Sequence, residues 1–110
     1  MVTIVEHERA ALVELCRRYG VERLYLFGSA VSGQFDAEGS DLDFLVCFAD
    51  RAPTGDYADR YLGLAEDLER LLRRPVDLVT EQSIRNPYFR REVESTRQLI
   101  YEQPNKETAV

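Results

Sequence analysis

The sequence predicts a single α/β domain whose helices pack on one face of its sheet. Three observations carry this. Short apolar runs at 22–27, 43–48 and 76–80 have the length and residue types of strands. Segments with helical spacing of apolar residues precede or separate them. A length of 110 residues makes one domain, able to bury a modest core.

The first helix is expected from about Val5 to Tyr19, because Leu12, Leu15, Cys16 and Tyr19 fall on one face. Gly20 is a suitable stop, since glycine takes the left-handed conformation that ends many helices. The strand at 22–27 is apolar on both faces, as a central strand should be. A short helix is expected to start at Ser29, and 43–48 forms the second strand. Asp50 to Asp56 contains Pro53 and Gly55 and reads as a loop. From about 57 to 73 a helix turns Tyr61, Leu64, Ala65, Leu68, Leu71 and Leu72 inward. The third strand is 76–80. Asn86 and Pro87 look like an N-cap and first helical residue, with that helix reaching about Glu94. Residues 98–101 form a short last strand. The domain therefore covers 1–102, and 103–110 is a polar tail expected to be disordered.

Composition excludes several functions. A net charge of −6 argues against broad nucleic-acid binding, which needs a basic footprint. Arginine supplies nearly all the positive charge, and Arg17, Arg18, Arg70, Arg73 and Arg74 read as helix surface. Cys16 and Cys47 sit in apolar contexts without neighbouring Cys or His, so they read as free, buried thiols of a reducing compartment. His7, the sole histidine, lies near a helix start and reads as surface, which gives a hydrolase triad little support. No signal peptide or membrane-spanning stretch is visible, so a cytoplasmic protein is expected.

The chemistry gathers at two strand junctions. The first strand runs into Gly28-Ser29, and the second opens with Asp41-Leu42-Asp43. Side chains alternate along a strand, so Asp41 and Asp43 share a face. Gly28 lets the backbone approach a phosphate and take a positive φ. Ser29 can cap a helix whose free N–H groups attract phosphate oxygens. Mg²⁺ takes one or two carboxylates together with substrate phosphates and water. Singly, a Gly-Ser is more often an ordinary turn, and an Asp-x-Asp a solvated strand end. Their order on two apolar strands makes the signal. Pro75-Val-Asp-Leu-Val79 adds a third carboxylate, Asp77. It is expected to be buried and metal-bound or paired; otherwise it lies at a sheet edge or pairs with Arg73 or Arg74.

In this combination the chain resembles the minimal nucleotidyltransferases of the polymerase-β-like superfamily. Their motif is an apolar strand, Gly-Ser, a short loop, Asp-x-Asp on the next strand, and a later strand with a third carboxylate. The matching positions are Gly28, Ser29, Asp41, Asp43 and Asp77, and the likeness extends through Asn86-Pro-Tyr-Phe-Arg-Arg-Glu-Val93 to Leu99-Ile-Tyr-Glu102. Eleven residues lie between Ser29 and Asp41, one more than is usual in that family.

The resemblance implies a mixed sheet with Asp41, Asp43 and Asp77 on the face away from the helices. It implies transfer of a nucleotide, AMP from ATP, to a hydroxyl with Mg²⁺ or Mn²⁺. Gly28 and Ser29 hold the β- and γ-phosphates, Asp41 and Asp43 bind metal, and Asp77 completes a second metal site or takes the acceptor's proton. Small members commonly act as antitoxins in a hetero-oligomer with a HEPN-domain ribonuclease toxin, modifying a tyrosine of that partner. Two other readings stand beside this: an antitoxin that works by contact alone, and an enzyme modifying a small molecule with help from a separate acceptor-binding subunit.

Overall fold

The computed structural model describes residues 3–28, 31, 41–49 and 57–104. The expected helix start at Ser29, the loop from Asp50 to Asp56 and the end of the tail lie outside these residues. In chain order the elements are α1 (Thr3–His7), α2 (Arg9–Arg18), β1 (Val21–Phe27), β2 (Leu42–Phe48), α3 (Tyr57–Leu72), β3 (Val76–Thr80), a 3₁₀ turn (Glu81–Ser83), α4 (Pro87–Thr96) and β4 (Gln98–Glu102).

The expected first helix is two helices. Glu8 leaves the helical region at φ −100°, ψ 15°. Hydrogen bonds still cross the joint, from Glu8 N–H to Ile4 C=O (3.1 Å) and from Leu12 N–H to Glu8 C=O (2.8 Å). Gly20 ends α2 with φ +70°, as its lack of a Cβ permits. Asn86 caps α4: its Oδ1 accepts from Tyr88 N–H at 2.8 Å and Phe89 N–H at 3.3 Å, with Pro87 at the first helical position.

The strands form one mixed sheet in the order β3-β2-β1-β4. β1 pairs antiparallel with β2 and with β4. β2 and β3 are parallel, and α3 makes the crossover that parallel neighbours require. The main core lies on one side, where Val5, Leu12, Cys16, Leu64, Leu68 and Leu72 from α1, α2 and α3 meet Leu24, Leu26, Leu42, Phe44 and Val46. Alternation along β2 sends Asp43, Leu45 and Cys47 to the opposite side. There a smaller cluster joins Phe27 and Leu45 to Ile84 and to Val93 and Phe89 of α4. Three helices thus lie on one face as expected, and α4 leans across part of the other.

Candidate active site

β2 and β3 are in register with Asp43 opposite Asp77. Partners in a ladder share a face, so the two carboxylates stand side by side. Asp41 immediately precedes β2 and is exposed. Leu42 N–H donates to Pro75 C=O at 3.1 Å, fixing the pairing where Asp41 enters. On its other flank Asp43 pairs with Phe27, the last residue of β1, and so meets the Gly28 turn.

Asp43 is half-buried, and its carboxyl is pushed up to about 6, first by burial and then by the charges of Asp77, Asp41 and Glu92. Asp77 corrects one expectation, because it is exposed, not buried. Among the described residues β3 is an edge strand, with β2 as its one neighbour. The carboxylate therefore stays wet and needs no partner. Of the alternative partners, Arg73 makes no ion pair with it among the described residues.

Gly28 is required for two reasons. Its φ is +78°, and a Cβ built there collides with Asp43 Oδ2. Its C=O accepts from Val31 N–H at 3.0 Å, which turns the chain directly after β1. Its N–H donates to Thr96 Oγ1 at 3.4 Å. Ser29 lies outside the described residues.

Among the described residues, no three His, Cys, Asp or Glu side chains close on a single metal position. The donor set nonetheless fits Mg²⁺. It offers hard, acceptor-only oxygens whose mutual repulsion a cation relieves, and phosphates normally complete such a sphere. A groove of about 410 Å³ lined by Ala11, Glu14, Leu15 and Arg18 of α2 and by Asp67, Arg70 and Leu71 of α3 lies on the other side of the sheet. It takes no part in this site.

Both thiols are free as expected, and one departs from the expected burial. Cys16 is buried, which pushes its thiol up to about 12. Cys47 is only half-buried, and its Sγ donates to Glu81 Oε2 at 2.9 Å. Burial and then that carboxylate hold it near about 12 as well. Glu92 and Thr96 of α4 are the residues that sequence reasoning missed. Glu92 falls in the 86–93 stretch without a role assigned to it and Thr96 lies beyond that stretch; the packing of α4 against Phe27 and Leu45 brings both to the carboxylate face.

The profile of the "Nucleotidyltransferase domain" family matches residues 9–100. The protein adenylyltransferase MntA of Thermococcus cleftensis is 38% identical over 89 residues, covering 78% of this chain and 85% of its own. The provisionally named protein adenylyltransferase MJ1379 of Methanocaldococcus jannaschii is 40% identical over 84 residues, covering 76% and 79%. Two solved structures share the fold. One, provisionally assigned as a minimal nucleotidyltransferase, has a TM-score of 0.63 and 35% identity, over 86% of this chain and 90% of its own. The other is a toxin–antitoxin crystallised with AMP-PNP, with a TM-score of 0.66 and 23% identity, over 92% and 78%.

Proposed function

Because the chain belongs to the nucleotidyltransferase domain family, we propose that it transfers AMP from ATP to a tyrosine hydroxyl of a HEPN-domain ribonuclease toxin and so acts as an antitoxin in a hetero-oligomer. The observation that carries this is the register of Asp43 against Asp77, with Asp41 two residues away and the Gly28 turn against Asp43. The relatives' names, protein adenylyltransferase in each case and provisional for one, support a protein as the acceptor.

Gly28 and Ser29 take the β- and γ-phosphates, Gly28 by letting the backbone approach closely where a Cβ would intrude and Ser29 through its backbone N–H and hydroxyl. Asp41, Asp43 and Asp77 hold Mg²⁺, with Mn²⁺ as a substitute. Bound there, the metal supplies Lewis-acid charge for in-line displacement at the α-phosphorus. The tyrosine oxygen bonds to that phosphorus, the bond to the β-phosphate oxygen breaks, and pyrophosphate leaves. Asp77 is exposed at the sheet edge, where an incoming hydroxyl can deliver its proton to the carboxylate. AMP on the toxin adds bulk and negative charge, which repel an RNA backbone. Among the described residues no helix is long and apolar enough to cross a membrane, and an ATP-using antitoxin acts in the cytoplasm beside its target.

Intact-mass measurement of the co-expressed toxin, with and without ATP and Mg²⁺, tests this. The expected result is a gain of one or more AMP groups, lost with Asp41→Asn/Asp43→Asn. An unchanged mass together with equal protection by the double variant makes neutralisation a matter of contact. An unchanged toxin with labelled small molecules makes the acceptor a small hydroxyl compound.

A further inference from the structure

We propose that Thr96 is a positioning residue for the phosphate-binding turn, an inference that rests on the nucleotidyl-transfer reading. The Thr96 hydroxyl donates to Glu92 C=O at 2.9 Å within α4. Its remaining lone pairs face Gly28, whose N–H donates to Thr96 Oγ1 at 3.4 Å. One side chain thus ties the last turn of α4 to the glycine that abuts Asp43.

The helix behind it is well anchored. Phe89 meets Phe27 edge-to-face with centroids 5.9 Å apart. Val93 is buried with Leu45, and the Arg97 guanidinium lies 4.6 Å over the Tyr25 ring. Phe27 directly precedes Gly28, so the aromatic contact and the hydroxyl hold adjacent residues of one turn. A glycine at positive φ has more alternatives than any other residue, and an unpaired N–H leaves them open. Fixing that N–H sets the direction of the turn before nucleotide arrives, and preorganisation of this kind lowers the cost of binding.

Two measurements on the full chain test this. In nucleotide-free protein, hydrogen exchange at the Gly28 amide should run about threefold to tenfold faster in Thr96→Val, the range one neutral hydrogen bond supports. Thr96→Ser keeps the hydroxyl and should match the wild type. Calorimetry with ATP and Mg²⁺ should show Kd rising by a similar factor in Thr96→Val and recovering in Thr96→Ser. Thr96→Ala supplies a second hydroxyl-free variant should the valine prevent folding. A purely structural role lowers Tm in Thr96→Val while exchange at Gly28 and Kd stay put, and that result overturns the proposal. Absence of ATP binding to folded wild type instead overturns the nucleotidyl-transfer reading, and this inference with it.

Discussion

Among the described residues, one face of the sheet buries Leu24, Leu26, Leu42, Phe44 and Val46 beneath three helices, whereas the other buries Phe27 and Leu45 beneath α4 and Ile84. On the covered face every strand contributes apolar side chains, and removing them from water supplies most of the driving force for folding. On the open face Asp43, Asp77 and Asp41 repel one another. The difference teaches that the two jobs are divided across a single sheet. The covered face holds the strands in register, and the open face spends that rigidity on a cluster of like charges.

Substitutions on the two faces should therefore separate. The largest effect belongs to the open face. Asp41→Asn or Asp43→Asn should reduce transfer by about a thousandfold or more, because the charge stabilising the reacting phosphate is lost. Circular dichroism should be unchanged, and near-normal transfer by both variants would place the active site elsewhere. On the covered face the pattern reverses. Leu68 is fully buried, and Leu68→Ala should cost about 2–5 kcal/mol in urea unfolding, with transfer per folded molecule preserved.

Gly28→Ala joins the faces. Its positive φ and the collision with Asp43 should cost about 1–3 kcal/mol and also weaken transfer. A stable, active alanine variant contradicts the close approach of turn and carboxylate.

The smallest effect sharpens the comparison most. Asp43's carboxyl lies at about 6 in the folded chain against an ordinary 3.8. Between those values the folded chain holds a proton that the unfolded chain has lost, so stability falls as pH rises through the window. Asp43→Asn should accordingly stabilise the metal-free protein at pH 7 by about 1 kcal/mol, after discounting for solvent screening at a half-exposed group. The gain should shrink toward zero near pH 4. A gain that is equal at both pH values points to packing instead.

Much of this division was legible in the sequence. Alternation along 41–43 put two aspartates on one face, and the strand limits at 76–80 and the Asn86-Pro87 cap agree with the structure. These are local signals, set by side-chain period and by which backbone groups need partners. The rest is not local. Period alone could not place Asp77 opposite Asp43, because register between strands separated by α3 is a tertiary outcome. Its exposure depends on β3 ending the sheet order, which no residue near it encodes. The break at Glu8 is invisible in a continuous apolar stripe. Thr96 lay beyond the expected end of its helix, and its partner Gly28 is remote in sequence.

The sheet is completed by the strand that the chain makes last among the described elements. β4 must return from the end of the domain to pair with β1, where Leu99 meets Tyr25. Such a long-range pairing meets its loop-closure entropy late, after the local helices and the β2-α3-β3 crossover can form. α4, and with it the contact on Gly28, sits inside that final excursion. A nascent chain that has already made all three aspartates therefore still lacks the hydrogen bond on Gly28 until α4 emerges and docks. If the proposed function holds, the order of synthesis itself would keep a half-made chain from handling nucleotide.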